Sequence, residues 1–425
     1  MKYQSIKGYF QDEKEKFIQC CDYCSVCLEN CQPLTYLQLG ISHEEVMKKI
    51  AIFLKDGTYS QEIYDFVYSC SLCGCCEKAC PAGINFMLVI DIVKAQLVTR
   101  GYQAPPSCKL FLPRERYNSA RILESLQVKP SERRWVTEVP KNPEHKEVVY
   151  FLSCFFHQTS KDVFTSLDIL EKMNQDCVAI GGVDYCCGEM DLSVGNPEVS
   201  DEFARSLVEA IKAYQPRTAV FLCGGCFYRF RYHLPLFLGF SFDIKPLSQF
   251  YLENIHKIQF TQTLNEKVTY HDPCGLGRRS DFFDIPRELI KKIPGIELVE
   301  MNPSREKSRC CGGMNMITNP QVAELLGHEL GSAVKTSGAN KVITSCTGCH
   351  LVLSRIGSQF NFLAETYVSL LGRAMGIEYE NKLGRYASLQ SPQKILEAAK
   401  DTIESGSFTL EEMERMIPIF FPSEK

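Results

Sequence analysis

Thr218-Ala-Val-Phe-Leu-Cys223-Gly-Gly-Cys226 and Lys341-Val-Ile-Thr-Ser-Cys346-Thr-Gly-Cys349 are one phrase written twice. In each, an apolar run of strand length stops at a Cys-x2-Cys. Working outward, both phrases end the same longer pattern. A lone cysteine comes first, Cys154 or Cys274. An adjacent pair with glycine follows, Cys186-Cys187-Gly188 or Cys310-Cys311-Gly312, and then the Cys-x2-Cys. One cysteine cluster can be chance or packing. Five cysteines repeated in order imply a ligand framework.

The surrounding text repeats with the cysteines. In the first copy, strands are expected over 147–152, 177–180 and 218–222, with helices over 161–174 and 197–214 between them. In the second, strands are expected over 268–270, 297–300 and 341–344, with helices over 286–292 and 320–335. Alternating strands and helices predict parallel βαβ units. Ligands past the carboxyl ends of parallel strands lie where open α/β sheets hold their sites.

Two further runs stand upstream. Cys21-x2-Cys24-x2-Cys27-x3-Cys31 and Cys70-x2-Cys73-x2-Cys76-x3-Cys80-Pro81 follow bacterial ferredoxin spacing. Three thiolates from one tight loop suit three corners of a [4Fe-4S] cubane, and the fourth cysteine of such a run ligates the other cluster. The expected sets are therefore Cys21, Cys24, Cys27, Cys80 and Cys70, Cys73, Cys76, Cys31. Zinc prefers paired ligands at two places, which this spacing does not provide. Cys31 departs from the pattern, because Gln32 separates it from Pro33. Cys20, Cys75, Cys108 and Cys177 fit no pattern. Around the runs, Ser42-His-Glu-Glu45 predicts a capped helix closed by Gly57. Further helices are expected from Ser60 and over 86–100.

Bulk numbers narrow the class. The chain has 425 residues, 45% hydrophobic and 23% charged, as in ordinary globular proteins of several domains. A net charge of -4 gives no support for nucleic acid binding. No apolar run approaches membrane-spanning length, and residues 1–16 lack a signal core, so the expected compartment is the cytoplasm. The 22 cysteines are too many and too clustered for incidental packing, and without an export signal they read as thiolate ligands.

The expected fold is α+β overall: an N-terminal α-helical ferredoxin-like domain followed by two duplicated α/β domains with parallel strands. The expected division is 1–128 helical, 129–146 linker, 147–262 first copy, 263–375 second copy and 376–425 helical tail. In that tail, Ile395, Leu396, Ala399 and Ile403 form an apolar stripe. It suits packing on the chain's own body or, as the alternative, docking of a partner.

The two copies resemble the CCG domains in the B-type subunit of heterodisulfide reductase, and the upstream runs resemble its C-type subunit. C-like then B-like in one chain resembles the D-type subunit of the membrane-linked enzyme. It is also similar to the iron–sulfur subunits of glycolate oxidase and anaerobic glycerol-3-phosphate dehydrogenase. The resemblance spans residues 17–375 and includes His271-Asp-Pro-Cys274 and Cys310-Cys311-Gly312-Gly313-Met314. It implies two non-cubane [4Fe-4S] clusters. Cys154, Cys186, Cys187, Cys223 and Cys226 would hold one, and Cys274, Cys310, Cys311, Cys346 and Cys349 the other. Gly188 and Gly312 would permit tight turns beside them. Gly275 departs from the family, where histidine often follows Pro-Cys. His157, His271 and His350 are candidate proton donors. Cys346-Thr-Gly-Cys349-His350 also fits c-type haem attachment, but the matching place in the first copy lacks the histidine.

The expected function is an iron–sulfur oxidoreductase subunit. It would carry electrons through two cubanes to two non-cubane clusters, with reduction of a thiol disulfide there. The alternative is a pure electron-transfer subunit linking a flavin-containing dehydrogenase to a quinone or membrane partner. No Gly-rich nucleotide motif occurs, so partner redox subunits are expected under both readings. Arg229, Arg231, Arg278 and Arg279 follow cluster cysteines, and suit either a substrate anion or compensation of cluster charge.

Overall fold

The computed structural model describes residues 2–421. Helices Ile6–Cys20, His43–Asp56, Gln61–Tyr68 and Phe86–Thr99 build the N-terminal part around buried Phe17, Ile50, Phe53, Val67 and Val93. Their boundaries follow local chemistry. The Ser42 hydroxyl accepts from Glu45 N while the Glu45 carboxylate accepts from Ser42 N, and Gly57 ends that helix at φ +84°. Ser60 and Asn85 cap the next two helices through their side-chain oxygens.

The two upstream cysteine runs share a backbone device. Tyr23 and Ser25 in the first, and Leu72 and Gly74 in the second, all adopt positive φ, from 53° to 74°. These are equivalent positions flanking the second cysteine of each run. Left-handed geometry is costly for tyrosine, serine and leucine. Its recurrence at matching places indicates that each loop is held in a shape that turns its thiols to one side.

The second part contains eight strands: β1 Val148–Phe151, β2 Cys177–Ile180, β3 Thr218–Phe221, β4 Asp243–Pro246, β5 Glu266–Tyr270, β6 Ile296–Val299, β7 Lys341–Thr344 and β8 Leu363–Thr366. They form two four-stranded, all-parallel sheets, ordered β2-β1-β3-β4 and β6-β5-β7-β8. Six coincide with the expected strands. The outer strands β4 and β8 carry no sequence signal, because each is half exposed and mixes polar residues with apolar ones. The central strands β1, β3 and β7 bury nearly continuous apolar runs, as parallel sheets covered on both faces require.

Two connecting segments are engaged by the body of the protein. Trp135 is buried and Val136 makes a parallel bridge to Ile180 on β2. In the tail, Ile395, Ala399 and Ile403 of helix Pro392–Glu404 are buried against Ile122, Leu123 and Leu126 of helix Ser119–Gln127. The apolar stripe is thus covered by the chain itself. Among the described residues, no helix is long and apolar enough to cross a membrane.

Candidate functional site

None of the cysteines is in a disulfide. The upstream ones line two cavities. Cys21, Cys24, Cys27 and Cys80 meet in one, walled by Phe17, Met47, Ile84 and Phe86. Cys31, Cys70, Cys73 and Cys76 meet in the other, walled by Leu28, Leu34, Phe66 and Ile90. Each run therefore sends its fourth cysteine into the cavity built by the other. Cys75 also lines the second cavity, whereas Cys20 is exposed and lines neither. Burial pushes the Cys27 thiol up to about 12 and the Cys70 thiol up to about 11. Buried thiolates are unfavourable alone and favourable on a cation, so four soft sulfurs in an apolar wall fit an iron–sulfur cluster.

The ten downstream cysteines gather in two groups. In the first copy, Cys154 Sγ lies 3.7 Å from Cys186 Sγ, and contacts continue through Cys187 to Cys226 and Cys223. In the second, Cys349 Sγ lies 3.3 Å from Cys311 Sγ, with Cys310 and Cys346 in contact and Cys274 facing Cys311 and Cys346. Both groups sit beyond the carboxyl ends of the central strands: β1 leads to Cys154, β3 to Cys223, β5 to Cys274 and β7 to Cys346. Cys223 and Cys346 are also N-caps, so Cys226 and Cys349 lie in first helical turns. Free backbone N–H groups there favour negative charge. Gly188 and Gly312 adopt φ +83° and +75°, and their N–H groups donate to Cys186 Sγ and Cys310 Sγ at 3.3 and 3.4 Å.

The two copies share an apolar core, with Tyr150, Leu167 and Tyr251 beside Tyr270, Tyr367 and Leu371, and near the cysteine groups they approach through glycines. A Cβ on Gly275 would lie 2.8 Å from Gly225 N and 2.9 Å from Gly224 C. One on Gly224 would lie 2.7 Å from Leu276 N. These neighbours are backbone and cannot step aside, so the seam requires glycine at these positions. Gly275→Ala is expected to destabilise the protein by about 1–3 kcal/mol through overpacking. Urea unfolding checks this, and a loss under about 0.5 kcal/mol would show that the seam is loose.

The upstream part shares a hydrophobic core with the first copy, where Phe86 and Val93 join Phe151 and Leu207, and it hydrogen-bonds to the second. Arg278 is buried, donating from Nε to Cys73 O at 2.9 Å and from Nη1 to Ser308 O at 2.6 Å. Gln32 accepts from Cys310 N at 2.6 Å and donates to Ser308 O at 3.1 Å. The sulfurs of Cys73 and Cys310 are themselves in contact. Asn315 donates to Ser69 O at 2.8 Å and accepts from the Ser71 hydroxyl. Sequence reasoning missed the roles of Gln32 and Asn315. The one available signal was Gln32 interrupting the Cys-Pro pattern.

Three of the four arginines, Arg229, Arg278 and Arg279, are buried within the protein. Arg279 donates to Glu189 at 2.7 Å and stacks 4.0 Å over the Tyr228 ring, and Arg229 lies 3.5 Å from Glu189. Burial opposes the Glu189 charge, but the two guanidinium groups outweigh it and hold its carboxyl down at about 2. Burial and neighbouring Arg229 bring His233 down to about 3. Arg231 is exposed, over the rings of Phe227, Tyr232 and Phe282.

The three histidines differ. His157 is tied at both nitrogens: Nδ1 lies 3.1 Å from Glu124, and Nε2 accepts from Gly182 N at 2.7 Å. His271 is buried with a nitrogen and the Cys311 and Cys349 sulfurs all within 4.8 Å of one another. His350 is half-buried in the first turn after Cys346.

Comparison with known proteins agrees with this arrangement. Residues 18–84 match the 4Fe-4S dicluster domain, and residues 148–231 and 268–354 match the cysteine-rich CCG domain. The chain is 28% identical over 332 residues to the D subunit of the dihydromethanophenazine:CoB–CoM heterodisulfide reductase of Methanosarcina barkeri, covering 75% of this chain and 80% of that one. It is 24% identical to the B subunit of the fumarate reductase (CoM/CoB) of Methanothermobacter marburgensis, covering 80% of this chain and 68% of that one. It is also 24% identical to the EtfAB:quinone oxidoreductase of Syntrophomonas wolfei, covering 63% of this chain and 38% of that one. A dicluster domain followed by two cysteine-rich copies, in one chain and aligned with such relatives over most of its length, makes the protein an iron–sulfur oxidoreductase subunit similar to the D subunit of heterodisulfide reductase.

Proposed function

We propose that this protein holds two cubane [4Fe-4S] clusters and two non-cubane [4Fe-4S] clusters, and that a thiol disulfide is reduced beside the latter. Cys21, Cys24, Cys27 with Cys80, and Cys70, Cys73, Cys76 with Cys31, would hold the cubanes. The five cysteines of each CCG copy would hold one non-cubane cluster. When bound, these groups store and pass single electrons. The observation that carries the reading is the convergence of all ten CCG cysteines into two complete groups whose backbones touch at Gly224, Gly225 and Gly275.

Cleaving a disulfide consumes two electrons and two protons and releases two thiols. His271, beside Cys311 and Cys349, is the residue suited to hold such a proton. Electrons would come from a flavin-containing or other redox partner, in the cytoplasm or at a membrane partner. Anaerobic reconstitution should give about 16 Fe per chain, four for each centre. The reconstituted protein with a reduced viologen should then release two thiols per disulfide. About half the iron would remove the non-cubane assignment, and full iron without thiol release would remove the disulfide chemistry.

The second reading is a relay between a flavoprotein dehydrogenase and a quinone or membrane partner. It is favoured by Arg229 and Arg279, whose charges face Glu189, and by Arg278, which donates to backbone carbonyls, so that all three already serve the protein interior. Under it, reduced protein transfers electrons to a quinone-reducing partner without thiol release.

A further inference from the structure

Gln32 stands at the one place where the first cysteine run breaks its pattern, and its side chain reaches across the molecule. Its backbone is bonded to Cys31, which lines the cavity shared with Cys70, Cys73 and Cys76. Its amide grips the loop before the second CCG pair at two points. Oε1 accepts from Cys310 N at 2.6 Å, and Nε2 donates to Ser308 O at 3.1 Å. Nε2 also lies 3.5 Å from Cys75 Sγ. Arg278 reinforces the joint by donating to the same Ser308 carbonyl and to Cys73 O. The first copy has no comparable amide: among the described residues, no side chain of either upstream run hydrogen-bonds to Cys186 or Cys187.

We infer that Gln32 is a positioning residue for electron transfer, setting the separation between the centre at Cys31, Cys70, Cys73 and Cys76 and the centre of the second CCG copy. The inference rests on the cluster assignment proposed above. In the step concerned, one electron leaves the upstream centre, which is oxidised, and enters the second-copy centre, which is reduced. No bond is made or broken. Transfer rates fall steeply with separation, and an amide bonded to the backbone N–H of one ligand and adjoining another ligand in sequence holds that separation, together with Arg278 and the Cys73–Cys310 contact. Groups that orient metal ligands commonly matter by about 10–100-fold when removed.

The test is rapid-mixing reduction of the full reconstituted chain by a low-potential viologen, followed by freeze-quench electron paramagnetic resonance. In Gln32→Ala, reduction of the upstream centres should keep its wild-type rate, while the CCG signal should grow about 10–100-fold more slowly. Midpoint potentials and iron content should be unchanged, which a general loosening of the fold would not leave intact. Thr35→Ala, at an exposed neighbour, should match wild type. If Gln32→Ala loses iron, Gln32→Glu decides: its carboxylate still accepts from Cys310 N but cannot donate to Ser308 O, so slowing is expected and a wild-type rate overturns the inference. Unchanged CCG reduction in Gln32→Ala also overturns it. Absence of any CCG signal in wild type overturns instead the assignment on which it stands.

Discussion

Replacing Cys31 by alanine is expected to abolish the signal of the centre built by Cys70, Cys73 and Cys76, and to spare the one built by its own neighbours Cys21, Cys24 and Cys27. Cys80→Ala is expected to do the reverse. The reason is spatial: Cys31 and Cys80 each line the cavity of the opposite run. Pairing the substitutions isolates the effect. Cys31→Ala with Cys70→Ala should lose no more than one centre, about four irons, whereas Cys31→Ala with Cys21→Ala should lose two. Iron analysis with redox titration reads both. If Cys31→Ala and Cys21→Ala together cost only one centre, the crossed arrangement is wrong and each run serves itself.

Arg287→Leu is expected to destabilise the protein by about 3–5 kcal/mol, the usual consequence of stranding a buried charge. Arg287 and Asp272 are both 2% exposed and joined by two bonds, 2.5 Å from Nη1 and 2.9 Å from Nη2. Arg287 also grips Glu300 at 2.6 Å, and Asp272 accepts from Arg305 N at 2.8 Å. Asp272 stands two residues before Cys274, so the pair anchors the loop that delivers this thiol. Removing the guanidinium leaves the Asp272 carboxylate desolvated and without its main partner. Adding Asp272→Leu should restore part of the loss, since a buried ion pair replaced whole is far less harmful than one broken. Denaturant midpoints of the single and double variants test this. A double variant less stable than Arg287→Leu would show that Asp272 serves another purpose.

Much of the site was legible because cysteine spacing is a local code. The x2-x2-x3 runs predict two loops, each with three thiols facing one way, and matched positive-φ residues at Tyr23 and Leu72 form them. Apolar runs predict β1, β3 and β7, and so the strand ends where Cys154, Cys223 and Cys346 emerge. The edge strands β4 and β8 were not legible, because half-exposed strands do not need an apolar pattern. The arginines after the CCG cysteines admitted two readings, and burial of Arg229, Arg278 and Arg279 favours charge compensation inside the protein.

The sequence by itself determined which residues are chemically equipped to hold iron and sulfur, and that the downstream half is a duplicated parallel α/β unit. Spacing and periodicity act over a few residues, and backbone geometry converts them directly into loops and strand ends. Only the tertiary structure decided that the ferredoxin-like part joins the second copy through Gln32 and Arg278, and that the copies touch at Gly224 and Gly275. Those contacts join residues 278 and 205 positions apart in the first case. At such separations no periodic signal survives, and which surfaces meet is settled by packing and by the need to satisfy buried polar groups.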